Sequence, residues 1–323
     1  MKSIIIGFLS NKLTLRGTEI AMYDYAEYNE ILLNNKSIII TRNYNSIKGE
    51  FDVSEDAYIK FKNRFNVEYY ENQKNIDDIV LKNGITHLYI IKGGGWDGII
   101  STKCKNLLHC VFTSKAPHGQ VYSTISDEVN RLSGTNYPVV PHMITFHDTT
   151  DNMRSELNIP DEAIVFGRYG GVETFDIKFV YNSIKEILNK RNDIYFIFMN
   201  TNKFYIHKNI IYLNGTTDMY IKRKFINTTD ALLHARQDGE TFGLTCGEFA
   251  VCLKPVITYN QSREKNHIHI LKNQAILYNN FDELNNILID FYKNKYNMDN
   301  NGYLHYTPEN IMNIFNNVYL TNS

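Results

Sequence analysis

Short apolar runs alternate with segments of helical period along the whole chain, the signature of parallel sheets covered by helices. In the first half the runs are 3–9, 37–41, 67–70, 87–91, 107–112 and 137–142, with helical segments at 18–33, 54–64, 76–82 and 124–132. In the second half the runs are 163–168, 193–199, 209–213, 231–234, 255–258 and 275–278, with helices at 174–189, 218–227, 242–253 and 281–292. The expected class is therefore α/β, and a ligand is expected at the carboxyl ends of the strands.

A polar stretch at 146–160, carrying His147-Asp148-Thr149-Thr150-Asp151 and then a short helix, separates two complete alternations. It divides the 323 residues into domains 1–146 and 147–323, each large enough to bury its own core. Pro308 suits the start of a last helix, about 308–320, whose Ile311, Met312, Ile314, Phe315, Val318 and Tyr319 form an apolar stripe able to pack back on the first domain.

Lys and Arg number 34 against 35 Asp and Glu, so no net field recruits a polyanion and nucleic acid is not an expected partner. No strongly basic amphipathic helix offers itself to anionic lipid. Cys104, Cys110, Cys246 and Cys252 match neither zinc-knuckle nor redox spacing and read as thiols in a reducing compartment. The N-terminal apolar run is too short for a signal peptide or a membrane span, which points to the cytoplasm.

The chemistry concentrates in Asp238-Gly239-Glu240-Thr241-Phe242-Gly243-Leu244-Thr245-Cys246-Gly247-Glu248-Phe249-Ala250, which follows a strand and opens a helix. A helix start carries unpaired amides and partial positive charge, so Thr241, Phe242, Gly243 and Leu244 can hold a diphosphate. Glu248 lies about two turns in, where a carboxylate accepts hydrogen bonds from vicinal ribose hydroxyls. Glu240 precedes the helix, close to any group carried on that diphosphate. Taken singly, Glu248 also reads as a solvated helix carboxylate and Gly243 as an ordinary turn. The two glutamates with seven residues between them, the enclosed Gly-Leu, the preceding Asp230-Ala231-Leu232-Leu233-His234 and the following Pro255-Val256-Ile257 resemble the motif of family 4 retaining glycosyltransferases. Lys254 stands where that family commonly has Gly before Pro-Val.

The resemblance implies a GT-B fold, two Rossmann-like domains facing each other across a crevice. It also implies a retaining transfer from a nucleotide-diphosphate sugar to a hydroxyl of a glycan or other acceptor. Cofactors are expected to be none: fixed amides, the helix dipole and Arg168 can stabilise the leaving diphosphate, and no Asp-x-Asp pair is present to hold a metal.

Other candidates surround this motif. Phe166-Gly167-Arg168-Tyr169-Gly170-Gly171 follows a strand, and Gly170 and Gly171 can approach the phosphates while Arg168 neutralises them. The alternative is that Arg168 pairs with Glu173 on the surface. Arg16-Gly17-Thr18 resembles the superfamily's glycine loop, with Gly17 and Thr18 toward the donor and Arg16 toward the acceptor; a plain cap with Thr18 as N-cap is compatible. His109 within a strand, His118 in a Pro-Gly loop and Trp96 in Lys92-Gly93-Gly94-Gly95-Trp96 are the acceptor-side candidates, both histidines being possible catalysts. The loop histidine is favoured, since a strand histidine is more often core; Trp96 reads equally as a plain loop residue. Competing classes are a nucleotide-sugar epimerase of the same double-domain fold, a pyridoxal-dependent phosphorylase and a non-enzymatic sugar-binding protein.

Overall fold

The computed structural model describes residues 4–145 and 147–321. Phe146, where the sequence reading places the domain boundary, lies outside them. The chain forms two compact units, one running to Met143 and resuming at Tyr306, the other from Ile144 to His305.

The first unit holds β1 (Ile5–Leu9), α1 (Gly17–Ile31), β2 (Lys36–Thr41), α2 (Tyr44–Ile47), α3 (Glu55–Arg64), β3 (Asn66–Tyr69), α4 (Gln73–Asn83), β4 (His87–Lys92), β5 (Lys105–Cys110), β6 (Val121–Thr124) and α5 (Asp127–Ser133). Its sheet is parallel throughout, in the order β3-β2-β1-β4-β5-β6. Alternate residues feed opposite cores: Ile39 packs with Ile6, Phe8 and Tyr89 on one face, whereas Ile38 and Ile40 pack with Leu88 and Ile90 on the other. Ser54, Asn72 and Ser126 cap α3, α4 and α5 through side-chain oxygens, and left-handed Gly84 and Gly134 end α4 and α5.

The sequence reading expects the last strand of this sheet at 137–142. The strand is instead β6, and the later segment pairs with the sheet through a single bridge between Thr124 and Val139. Pro138 and Pro141 flank that bridge and supply no N–H for a ladder.

The second unit holds β7 (Ile164–Tyr169), α6 (Lys178–Lys190), β8 (Ile194–Met199), β9 (Ile210–Leu213), α7 (Met219–Thr228), β10 (Ala231–His234), β11 (Gly239–Glu240), α8 (Leu244–Val251), β12 (Val256–Tyr259), β13 (Glu264–Lys265), α9 (Asn266–Leu271), β14 (Ala275–Tyr278) and α10 (Phe281–Ile289). Its main sheet, again all parallel, runs β14-β12-β10-β7-β8-β9. In each sheet the first strand lies beside the fourth, with the second and third on one side and the fifth and sixth on the other. In each sheet the connections leaving these two central strands run in opposite directions, so the switch point lies at their carboxyl ends. In the second unit that point lies between β7 and β10.

A last helix, α11 (Pro308–Phe315), capped by Thr307 and extended by a π-helical turn at Asn316–Thr321, belongs to the first unit. Ile311, Met312, Phe315 and Tyr319 complete its core, and the Phe315 ring stacks on Tyr25 at 5.3 Å. Each such side chain contributes roughly 1.5–3 kcal/mol by burial. Among the described residues no helix is long and apolar enough to cross a membrane.

Candidate functional site

The segment from His234 to Glu248 leaves the carboxyl end of β10 and is pinned at two glycines. Gly239 has φ +80 and begins β11, which pairs in parallel with β13; a Cβ there would lie 2.0 Å from the Glu264 carbonyl oxygen. Gly243 has φ +85 and forms the N-cap of α8, with room for no side chain: a Cβ would lie 2.9 Å from His267 Cβ and 3.1 Å from the Tyr303 hydroxyl. That hydroxyl donates to the Phe242 carbonyl at 2.6 Å, and Phe242 and Thr241 are buried.

This corrects the sequence reading of the turn. Gly243 is required by its left-handed backbone and by close packing, and Thr241, Phe242 and Gly243 face the interior. Leu244 and Thr245, the first residues of α8, are partly exposed. Their N–H groups have no acceptor within the helix, and the helix dipole adds partial positive charge there. The open amides of this turn are therefore those of Leu244, which the sequence reading names, and of Thr245, which it does not.

Glu240 is held ionised. Its Oε1 accepts from His234 Nε2 at 3.2 Å and its Oε2 from Arg236 Nη1 at 3.1 Å, with the side chain 24% exposed. Burial pushes its pKa up, but Arg236, His234 and His267 outweigh burial and hold it down at about 2. With Nε2 donating, His234 Nδ1 accepts from the Thr258 hydroxyl at 2.8 Å; the Thr258 oxygen then accepts from His267 Nε2 at 2.8 Å. Burial, and next the charge of His234, push the His267 pKa down to about 3.

Glu248 is buried in the second turn of α8, and its Oε2 accepts from the Tyr169 hydroxyl at the end of β7. The carboxylate therefore faces the carboxyl edge of the sheet at the switch point. Cys246 lies near both glutamates: burial first, then Glu240 and Glu248, push its thiol well above the ordinary range.

Arg168 is not a surface residue. It is 4% exposed and holds a loop: Nη1 donates to Asn200 O at 3.0 Å and Thr201 Oγ1 at 2.5 Å, and Nη2 to Gly171 O and Thr174 Oγ1, each at 2.6 Å. Both terminal nitrogens are thus committed to the protein, which corrects the expectation of direct contact with a diphosphate and equally the alternative of a surface pair with Glu173. Burial lowers its pKa to about 10, opposed by Glu240 and Glu173, so the guanidinium stays charged at neutral pH. Gly170 and Gly171 belong to this loop rather than to a helix start, because α6 begins at Lys178 and not near Thr174.

In the first unit the candidates separate into three environments. Arg16 pairs with Asp52 and lies over the Phe51 ring at 5.7 Å. Arg16 is the N-cap position of α1 and Gly17 its first residue, so Thr18 is not the cap. The Thr18 hydroxyl instead donates to Glu19 at 3.1 Å, joined by Thr14 at 2.5 Å and Ser10 at 3.2 Å. Glu19, which the sequence reading missed, is a buried carboxylate at a helix start; burial raises its pKa against these hydroxyls. The Thr18 hydroxyl, expected to face a donor, is turned onto the Glu19 carboxyl of its own chain.

His109 is fully buried, its Nδ1 2.6 Å from the Tyr89 hydroxyl and its ring against Tyr25 and His142. Burial pushes its pKa down to about 3, so it is a neutral core residue, out of reach of a solvent-borne substrate. His118 and Trp96 come together at the carboxyl end of β4. The rings meet edge to face at 4.9 Å, His118 Nδ1 lies 2.6 Å from Ala116 O and Nε2 3.2 Å from Lys92 Nζ, and Lys92 pairs with Asp97 at 2.6 Å. Trp96 remains 59% exposed.

No protein-family model matches the chain, and no curated protein matches it in sequence. Solved structures match it over almost its whole length. A glycosyltransferase from Rickettsia africae ESF-5 is 13% identical with a TM-score of 0.64, the match covering 100% of this chain and 96% of that one. HepE of Anabaena, in complex with UDP-glucose, is 12% identical with a TM-score of 0.66, covering 98% and 95%. A protein described as a UDP-N-acetylglucosamine 2-epimerase from Listeria monocytogenes is 12% identical with a TM-score of 0.56, covering 96% and 94%. At such identities the likeness carries the fold, and the chain has the GT-B fold.

Proposed function

We propose that this protein transfers a sugar from a nucleotide diphosphate to a hydroxyl acceptor, with retention of configuration and without a metal. The observation that supports this most is the grouping of ionised Glu240, the start of α8 and buried Glu248 at the switch point of the second unit. The neighbours of like fold include HepE with UDP-glucose bound.

In this reading the N–H groups of Leu244 and Thr245 hold the diphosphate, and the helix dipole stabilises the negative charge that grows as the glycosyl bond breaks. Glu248 accepts from a ribose hydroxyl. Glu240, fixed by Arg236 and His234, places negative charge beside the sugar as it becomes cation-like. Arg168 acts through the 170–174 loop that it holds and adds a buried positive charge. In the first unit, Trp96 offers an open ring face to a sugar acceptor, with the His118 ring packed beside it.

The test is a thermal-shift screen of nucleoside diphosphates and their sugars, followed by transfer assays with the ligand that stabilises. Stabilisation by a nucleotide sugar and transfer to a glycan acceptor support the reading; the absence of any stabilising nucleotide sinks it. The anomeric configuration of the product, read by NMR, decides retention. The match to the Listeria protein favours a second reading, isomerisation of the nucleotide sugar itself. Incubation with the donor alone separates the two, because only an epimerase then forms a new isomer.

A further inference from the structure

His234, Cys246 and His267 form a buried cluster in the second unit whose ligand atoms lie within 4.8 Å of one another. They come from three elements, the end of β10, the first turn of α8 and the start of α9, so the fold and not a local sequence repeat assembles them. Thr258 Oγ1 lies 2.8 Å from His234 Nδ1 and 2.8 Å from His267 Nε2, which orients both rings. The nitrogens left over are His234 Nε2 and His267 Nδ1. The second of these is buried beside the Glu240 backbone without a hydrogen bond of good geometry. Such an orphan is uncommon inside a protein and calls for a ligand. Glu240 Oε1, 3.2 Å from His234 Nε2, supplies a fourth donor on the same side.

We propose that His234, Cys246, His267 and Glu240 bind a divalent transition-metal ion of zinc type. Two imidazoles, one thiolate and one carboxylate make a mixed nitrogen, sulfur and oxygen set that suits zinc and disfavours magnesium or calcium, which take oxygen ligands. The ligand atoms lie within 4.8 Å of one another, wider than the edge of a tetrahedral zinc site, so binding draws the side chains inward onto the ion. Thr258 is the outer partner that ligating histidines require, its oxygen accepting from the N–H of both rings once their other nitrogens face the ion. Binding occupies Glu240 Oε1, the oxygen that otherwise accepts from His234 Nε2, and places a dication against the carboxylate. Zinc is therefore an inhibitor of whatever reaction uses Glu240, and the binding itself does not depend on which reaction that is.

The experiment is titration of the full chain with Co2+, with no nucleotide present. The expected result is one ion per chain, with the visible bands of tetrahedral cobalt and a thiolate-to-cobalt charge-transfer band, displaced by Zn2+ and not by Mg2+. Cys246→Ser removes the charge-transfer band, His267→Gln weakens binding at least about tenfold, and Cys252→Ser leaves the spectrum unchanged. The wild-type titration needs no variant to fold: absence of the bands, octahedral cobalt alone, or equal displacement by Mg2+ overturns the site. A charge-transfer band that survives Cys246→Ser overturns it as well.

Discussion

The Tyr169 hydroxyl, at the last residue of β7, donates to Oε2 of Glu248 in the second turn of α8. The bond ties the central strand to the helix and aims a buried carboxylate at the carboxyl edge of the sheet. Tyr169→Phe removes one donor from that anion at a cost of roughly 1.5–3 kcal/mol, measurable by urea denaturation. Glu248→Gln keeps a side chain of the same shape but withdraws the charge. Its nucleotide-sugar affinity should fall by about one to two powers of ten in calorimetry. Unchanged affinity in a folded variant removes Glu248 from the ribose.

Gly243→Ala tests the turn in a different way. The left-handed backbone and the closeness of His267 and Tyr303 both oppose a Cβ, so the variant should lose about 1–3 kcal/mol of stability. Nucleotide binding should fall with it, since α8 can no longer start at Leu244. A variant as stable as the wild type shows that the turn relaxes freely.

The alternation of strands and helices was legible because it is a local signal: β1, β2, β7 and β10 are apolar runs buried on both faces. The spacing of Glu240 and Glu248 was legible for the same reason. What escaped depends on contacts distant in sequence. The start of α6 at Lys178 follows from a loop held by Arg168, whose partners Asn200 and Thr201 lie on the neighbouring strand's exit. Nothing near Glu240 announces that Thr258 and His267 stand behind it. His109 shows the converse, a residue whose burial decides its role and whose burial comes partly from Tyr319, at the far end of the chain.

Acid should destabilise the fold before most carboxylates titrate. Burial holds His109 and His267 down at about 3, against 6.5 when exposed, and pushes His142 well below its ordinary value. At pH 5 the unfolded imidazoles carry protons that the folded ones do not. Stability is therefore fully present above about 6.5 and is lost as pH falls toward 3, with roughly 1.4 kcal/mol per pH unit for each imidazole. Glu240, whose pKa drops from 4.5 to about 2, adds a loss of the same sign in that lower window. His109→Gln keeps a partner for Tyr89 without titrating. Its stability measured by urea between pH 6 and pH 4 should show a slope smaller by about one proton; an unchanged slope means that His109 is protonated in the native state.

Arg168 distinguishes a charge from a brace. If its positive charge alone served a departing diphosphate, Lys would substitute for it with modest loss. Its geometry argues otherwise: one planar group donates to Asn200 O and Thr201 Oγ1 through Nη1 and to Gly171 O and Thr174 Oγ1 through Nη2. A single ammonium cannot span both pairs. Arg168→Lys should therefore resemble Arg168→Ala, with turnover reduced by about tenfold or more and donor KM changed less, because the 170–174 loop loses its position while the amides of α8 keep theirs. Limited proteolysis should then cut within 170–177 in both variants and not in the wild type. Rescue of turnover by Lys would return Arg168 to the role of a simple counter-charge.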